Sequence, residues 1–171
     1  MKDDPEFFLN AALVSALRAG ERILEVYQRP YIEKELKEDF TPVTEADRSA
    51  HATIMKHLQP TGIPVLSEEG QDISYEERRT WKVFWLVDPL DGTKEFLRKN
   101  GEFTVNIALI EGQRPILGVL YAPLLDLLYF SRPGEGAFRL EGFAKNWKDR
   151  VSCRDIRDSS QALPLEPTER K

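Results

Sequence analysis

The sequence has few of the side chains that carry covalent catalysis. Cys153 is the only cysteine among 171 residues, so the chain cannot form an internal disulfide, and a reducing cytoplasm is compatible with it. The only histidines, His51 and His57, have no cysteine or carboxylate at metal-ligand spacing, and both are predicted to lie on the exposed surface. No cysteine or histidine nucleophile is indicated.

Long apolar runs and an excess of positive charge are missing too. No stretch approaches about 20 apolar residues, and residues 1–5 show no basic segment leading into an apolar core, so neither a membrane span nor a secretion signal is predicted. The 24 Lys and Arg against 29 Asp and Glu give a net charge of -5, and this balance does not suggest a nucleic acid partner. We expect a cytoplasmic protein, with peripheral attachment at the inner membrane as the alternative.

What the sequence does contain is one dense acidic stretch, WLVDPLDGTKEF, over residues 85–96. The apolar run 83–87 predicts a short buried strand. We expect this strand to stop at Asp88, because Pro89 has no N–H to donate and favours extended geometry in the residue before it. Asp88 and Asp91 then lead into a glycine turn, an arrangement that suits a hard cation with a phosphate beside it. The alternative is an ordinary Asp-Gly turn that the aspartates cap.

The N-terminal part predicts two amphipathic helices. The first begins at Asp4–Pro5, and its apolar residues recur at helical spacing until Pro30. The second begins at Thr44, with Asp47 three positions later in a capping-box arrangement. The polar segment 31–37 between the two helices predicts an edge strand.

Further strands are predicted on both sides of the acidic stretch. The apolar run 63–66 predicts a short strand that ends in Glu68 and Glu69, for which solvated surface is the alternative reading. Downstream, four short strands joined by turns predict an antiparallel meander over 103–110, 116–122, 127–131 and 137–140. The polar segment 158–171 predicts an unfolded tail or a linker.

The string DPLDGTKEF, which starts at Asp88, resembles the signature of the lithium-sensitive, magnesium-dependent phosphatase superfamily, the inositol monophosphatase-like proteins. Its KEF ending, together with NGEFTVNIALIEG and GVLYAP downstream, resembles the branch that acts on 3'(2'),5'-bisphosphate nucleotides. The two residues between the aspartates argue against the D-x-D-x-T phosphatase motif. The resemblance covers roughly residues 5–155, yet only the first half to two-thirds of the family fold.

The resemblance implies an α+β fold of the layered sugar-phosphatase type, with two N-terminal helices packed on a largely antiparallel sheet and the C-terminal α/β half absent. Residues 1–142 would form the metal-binding phosphatase domain, and 143–171 the start of the second half or a polar tail. In the family, a W-D-x-A-A type motif in that half supplies an aspartate to the second metal site, and no such string exists here. Sheet surface would remain uncovered, from which self-association is expected.

The resemblance also implies a carboxylate site for Mg²⁺. Glu68, Asp88 and the carbonyl of Leu90 would hold a first ion, and Asp88 and Asp91 would share a second, with two or three ions per complete site and inhibition by Li⁺. Two neighbouring ions can activate water on one side and neutralise the leaving oxygen on the other.

Catalytic and substrate-binding roles follow from the same resemblance. Asp47 would pair with Thr93 to orient and deprotonate the attacking water, and Glu69 would help to position water. The residues implied at the substrate are Glu68, Leu90, Asp91, Gly92 and Thr93, of which the last two would offer backbone N–H groups to the phosphate.

The expected reaction is Mg²⁺-dependent hydrolysis of the 3'-phosphate of adenosine 3',5'-bisphosphate to AMP and phosphate. Two alternatives stay open: an inositol monophosphatase, or a non-catalytic fragment that binds metal. The expected partner is a small phosphorylated substrate, with no nucleic acid and no membrane span. Because the aspartate of the second half is missing, we expect the 171-residue chain to be weakly active or inactive by itself.

Overall fold

Two long helices pack against one face of a large sheet. The structure is a computed structural model that describes residues 5–37, 42–132, 134–142, 144 and the backbone of 163–164. The helices are α1 (Pro5–Tyr27), α2 (Glu45–Leu58), α3 (Tyr75–Arg78) and α4 (Thr93–Leu97). The two long helices lie where the spacing of apolar residues predicts them.

Seven described strands form the main sheet, in the order β3-β4-β5-β6-β7-β8-β9. Their bounds are β3 Val65–Ser67, β4 Val83–Asp91, β5 Thr104–Glu111, β6 Arg114–Ala122, β7 Leu127–Arg132, β8 Gly136–Glu141 and β9 Leu163–Pro164. β3 and β4 run parallel, and the later neighbours are antiparallel. The predicted meander is confirmed, and so is an α+β fold with helices packed on a largely antiparallel sheet.

The polar segment between α1 and α2 does not join this sheet. β1 (Lys34–Leu36) pairs with β2 (Pro42–Thr44) in a separate two-stranded sheet. All three residues of β1 are exposed, so no side chain of this strand is held in the core. The predicted edge strand is therefore shorter than expected and lies away from the main sheet.

The strand that carries the acidic stretch is longer than predicted. β4 continues through Asp88 and Pro89 to Asp91, and its pairing with β5 shifts in register between the two aspartates. Such an irregularity tolerates Pro89, because the regular ladder is interrupted where the proline lacks its N–H. β3 begins at Val65 rather than Ile63, and it is half-buried because it forms an edge of the sheet.

The core lies between the two long helices and the sheet. Trp85 is fully buried there, and its Nε1 donates a hydrogen bond to Thr61 Oγ1 at 3.1 Å. Helix α1 approaches the sheet closely at Gly20, where an added Cβ would lie 2.5 Å from Tyr121 Cε1. Small side chains on both helices allow a similarly close approach between them. The fully buried alanines are Ala12, Ala16, Ala19, Ala46 and Ala50.

Most of segment 143–171 lies outside the described residues, so the predicted domain boundary at 142 stays a prediction. The backbone of Leu163–Pro164 forms β9, which pairs with β8. This part of the segment predicted as an unfolded tail is thus a strand, because the β8 edge offers backbone partners. Within the described ranges, no helix is both long and apolar enough to span a membrane.

Candidate active site

The carboxyl ends of two neighbouring strands bring the acidic segments together. β3 and β4 are parallel, with Ser67 opposite Val87, and the Glu68 backbone N–H donates to the Val87 carbonyl oxygen at 3.1 Å. Parallel strands end at the same edge of a sheet, so Glu68 and Asp88 leave it side by side. The fold therefore brings two acidic segments that are 20 residues apart in the sequence to the same edge of the sheet.

Asp88 is a half-buried carboxylate whose charge is poorly compensated. Its Oδ1 is buried and has no hydrogen-bond partner among the described residues. Burial, followed by the negative charges of Glu68 and Asp91, raises the pKa of Asp88 to about 7, while the Leu90 N–H acts in the opposite direction. A buried carboxylate oxygen without a partner, beside two further carboxylates, is stabilised by a hard cation. The site thus fits Mg²⁺ in charge and in ligand type.

The ligands from this chain do not form a closed set. Over the described ranges, no three histidine, cysteine or acidic side chains come close enough to hold a metal by themselves. Asp91 is exposed and accepts a hydrogen bond from Asn106 Nδ2 at 3.1 Å. Glu68 is directed toward a lysine, as described next. The side chains of Glu68 and Asp88 are within hydrogen-bond reach of each other, and Glu68 and Asp91 each have a further partner in Lys37 and Asn106.

Lys37 joins the two adjacent glutamates. Its Nζ lies 3.1 Å from Glu68 Oε1 and also donates a hydrogen bond to Glu69 Oε1. Burial alone would lower the pKa of Lys37, but the bonds to Glu69 and Glu68 outweigh it and raise the pKa. Lys37 therefore places a positive charge beside the two glutamates at this edge of the sheet. The sequence analysis did not predict this contact.

Asp47 makes both of the contacts considered for it, through different oxygens. Oδ2 accepts from the Thr44 backbone N–H at 2.7 Å and from Thr44 Oγ1 at 2.6 Å, which completes the predicted capping box. Oδ1 accepts from Thr93 Oγ1 at 3.0 Å, the pairing that the resemblance implies. Burial raises the pKa of Asp47, and the bonds from Thr44 and Thr93 partly offset that rise. The cap thus fixes the carboxylate that holds Thr93.

The turn after β4 requires glycine. Gly92 has a φ of 92°, in the left-handed region, and an added Cβ would lie 2.7 Å from the Glu102 carbonyl oxygen. The Gly92 carbonyl accepts from the Phe96 N–H at 2.9 Å, and Phe96 is fully buried, so the turn is tied to the core. Any side chain at position 92 would displace Thr93 from Asp47.

The two histidines are less exposed than predicted. Both are half-buried, and burial lowers the pKa of each. His51 Nδ1 lies 2.9 Å from Ser67 Oγ, one residue before Glu68. The polar residues of α2 predict an exposed face at these positions, but the end of β3 contacts His51 through Ser67, which the helical pattern could not indicate.

Asn106 is a second residue that the sequence analysis missed, and its signal was present. It occupies a polar position in the alternating strand β5, whose apolar residues Val105 and Ile107 are buried. Asn106 is paired in register with Asp88, so it lies on the same face of the sheet as that carboxylate. A polar residue between two apolar ones predicts that its side chain lies on the less buried face of the strand, but it does not predict the contact with Asp91.

The sequence matches the Inositol monophosphatase family over residues 4–165. It is 45% identical over 155 residues to the 3'(2'),5'-bisphosphate nucleotidase CysQ of Salmonella typhimurium, a match that covers 86% of this chain and 58% of that relative. The crystal structure of CysQ from Bacteroides thetaiotaomicron superposes with a TM-score of 0.83 at 40% identity, over 98% of this chain and 60% of that one.

A more distant solved structure shares the fold. It is described as an IMPase/NADP phosphatase complexed with Mg²⁺ and phosphate, and it is 22% identical with a TM-score of 0.61, over 71% of this chain and 46% of that one. The chain spans less than two-thirds of the length of each of these relatives. The description of the Salmonella relative does not bear out the expectation of peripheral attachment at the inner membrane.

Proposed function

Because the chain belongs to the inositol monophosphatase family, we propose that it forms the metal-binding part of a Mg²⁺-dependent phosphomonoesterase. The proposed substrate is adenosine 3',5'-bisphosphate, whose 3'-phosphate is hydrolysed to give AMP and phosphate. The Salmonella relative, a 3'(2'),5'-bisphosphate nucleotidase that is 45% identical to this chain, supports this substrate class. The observation that carries the proposal is the half-buried Asp88 beside Glu68 and Asp91, because its buried Oδ1 has no hydrogen-bond partner among the described residues.

Four residues would hold the metal ions: Glu68, Asp88, Asp91 and the carbonyl of Leu90. When bound, Mg²⁺ ions activate water and neutralise developing charge on phosphate oxygens. The distant structure with Mg²⁺ and phosphate supports the fold alone, so this assignment depends on the oxygen ligands themselves. We also propose that a complete site holds two or three Mg²⁺ ions and that Li⁺ inhibits it.

Asp47 and Thr93 would prepare the attacking water. The Thr93 hydroxyl donates to Asp47 Oδ1, so its lone pairs remain available to accept a hydrogen bond from water. The raised pKa of Asp47 makes its carboxylate a better acceptor for the proton that leaves that water. Glu69 would help to orient the water from the opposite strand end.

The turn would bind the phosphate. Backbone N–H groups of Gly92 and Thr93 are proposed to face the phosphate oxygens, because glycine alone permits the left-handed turn that leads into α4. Asp91, Glu68 and the Leu90 carbonyl would complete the contacts with the substrate through the bound ions. An inositol phosphate, or metal binding without turnover, remains the alternative.

The isolated chain is proposed to be incomplete. It spans 58% of the Salmonella relative, and no closed metal cluster exists among its described residues. We expect weak or no turnover from the 171 residues alone. We also propose that the chain works in the cytoplasm.

A further proposal is self-association through the apolar sheet face that the helices leave open, where Leu86 is 45% exposed. Sedimentation of the chain against Leu86→Glu would test that association.

The substrate assignment is tested by joining the chain to the second half of the Salmonella relative. Phosphate release from adenosine 3',5'-bisphosphate and from inositol 1-phosphate is then measured side by side, with and without Mg²⁺. Faster release from the nucleotide supports the proposal. Faster release from inositol 1-phosphate would assign the chain to the alternative, and metal binding without any release would leave only the non-catalytic role.

A further inference from the structure

Lys37 makes a contact that a surface lysine rarely makes. One ammonium group bonds to two carboxylates that are adjacent in sequence, with Nζ 3.1 Å from Glu68 Oε1 and a second bond to Glu69. The Lys37 side chain is 24% exposed and that of Glu69 is 11% exposed. The other ion pair of this region, between Arg48 and Glu35, is far more open. Water therefore screens the contact with Glu69 less than it screens a typical surface pair, while Glu68 is 53% exposed and can turn to another partner more easily.

The same ammonium group faces an edge of the sheet with a surplus of negative charge. Glu68, Glu69, Asp88 and Asp91 leave neighbouring strand ends. Within the described part of the chain, Lys37 is the basic side chain that bonds to this group. Arg48, whose charge also acts on Glu69, is itself hydrogen-bonded to Glu35 at 3.0 Å. In the described part of the chain, Lys37 is thus the basic side chain that is hydrogen-bonded to the glutamates, and Arg48 acts on Glu69 only from a distance.

We propose that Lys37 is a built-in counter-ion of the carboxylate site, which a divalent cation displaces from Glu68 Oε1 when the ion binds at that oxygen. The inference rests on the proposed metal site. The ammonium group occupies Glu68 Oε1, and a metal ion cannot be in contact with that oxygen along the same direction while the ammonium group is bound to it. Lysine suits such a role because its charge sits on a long flexible stem that can move away intact.

The location of Lys37 allows this displacement at a small cost in stability. It directly follows β1, a three-residue strand whose side chains are all exposed and which belongs to the small separate sheet. Local movement of such a segment disrupts little buried apolar contact. Glu69 remains available to Lys37 while Glu68 turns to the metal, so the ammonium group need not lose both of its partners.

The test compares Lys37→Met with Lys34→Met in the 171-residue chain. Methionine keeps most of the stem and removes the charge, and Lys34 is an exposed lysine of β1 that serves as the matched control. Binding of Mg²⁺ is measured by titration calorimetry in the absence of substrate. We expect Lys37→Met to bind Mg²⁺ about tenfold more tightly than the unmodified chain, since a charge-assisted hydrogen bond no longer opposes binding. Lys34→Met should bind as the unmodified chain does.

A second measurement follows the ammonium group directly. An amine-acylating reagent and mass spectrometry report how accessible Lys37 is with and without Mg²⁺, with Lys34 as the internal reference. We expect acylation of Lys37 to rise several-fold when Mg²⁺ is added, and that of Lys34 to stay constant. Glu69→Gln should raise Lys37 acylation without metal, because one of the two bonds is then weakened.

The outcomes separate this inference from the proposed function. Equal or weaker Mg²⁺ binding by Lys37→Met, in a chain that does bind Mg²⁺, overturns the counter-ion role and leaves the metal site standing. If the Lys37→Met variant binds Mg²⁺ and the unmodified chain does not, the counter-ion role is supported strongly. If neither chain binds Mg²⁺ at any concentration, both the displacement and the proposed metal site are wrong.

Discussion

The two faces of the main sheet differ in what covers them and in what they do. On the face toward α1 and α2, neighbouring strands align apolar residues that are all buried: Val87, Ile107, Val119 and Phe130. On the opposite face, the residues that alternate with these are half-buried or exposed, as at Leu86 and Leu120. Since side chains alternate along a strand, one sequence serves two purposes. The covered face supplies stability, and the open face carries the proposed site.

The open face carries the acidic site at one corner. Asp88 lies opposite Asn106 in the sheet, and both occupy positions between buried neighbours. Two rows of paired residues cross this face. The first contains Leu66, Leu86, Ala108, Gly118, Ser131 and Ala137, and the second contains Asp88, Asn106, Leu120, Tyr129 and Arg139. The site is thus continuous with a shelf of small and apolar side chains, which explains why completing the site and covering the face are expected to go together.

The largest expected effect is a loss of phosphate release without a loss of stability, caused by one substitution on the open face. Asp88→Asn, in the chain joined to the second half of the Salmonella relative, should abolish Mg²⁺-dependent phosphate release, because Asp88 is proposed to touch both ions. The amide should not unfold the chain, since it removes a half-buried charge whose pKa is already raised. Phosphate release and thermal melting are measured on the same variant. Near-normal turnover with intact metal dependence would show that the site is misassigned.

The next effect concerns the pair that prepares water. Thr93→Ala and Asp47→Ala should each lower kcat by about 10²–10⁴-fold, the usual size of general-base assistance, with little change in Mg²⁺ affinity. Asp47→Ala should also cost about 1 kcal/mol of stability, because its other oxygen completes the α2 cap. Steady-state kinetics and melting curves together decide the matter. A loss of stability with unchanged kcat would reduce Asp47 to a helix cap.

Adjacent residues on the two faces give the third comparison. Trp85→Ala should destabilise the chain by about 3–5 kcal/mol, because the side chain is fully buried under the helices. Leu86→Ala, one residue further on the open face, should cost about 1 kcal/mol or less. Urea unfolding of both variants provides the measurement. Similar losses at the two positions would mean that the open face is packed as firmly as the covered one.

The last expected effect concerns a single titrating group on the open face and is a dependence of stability on pH. The folded pKa of Asp88 is raised from 3.8 to about 7, so folding disfavours its ionised form. The contribution of Asp88 to stability is therefore fully present below about pH 4 and is lost as the pH rises through 7. Without added metal, Asp88→Asn should show a smaller loss of stability than the unmodified chain between these limits. Parallel pH profiles of the two chains would contradict this environment for Asp88.

Local patterns predicted most of the fold, while contacts between distant segments were not predictable. The alternation of Val105, Ile107 and Leu109 with polar residues indicated a half-covered strand, and the structure confirms it. The extension of β4 through Pro89 was missed because a bulge depends on the partner strand. Lys37 was missed for the same kind of reason, since its partners lie 31 and 32 residues away and no local pattern marks it.

The central claim is that the open corner of the sheet holds a phosphatase site that this chain cannot complete alone. It is tested most directly by phosphate release from adenosine 3',5'-bisphosphate with Mg²⁺, measured for the 171-residue chain alone and for the same chain mixed with or joined to the second half of the Salmonella relative. We predict little or no release by the chain alone and restored release when the second half is present. Robust Mg²⁺-dependent release by the chain alone would contradict the account, because a carboxylate interpreted here as surface would then complete the site.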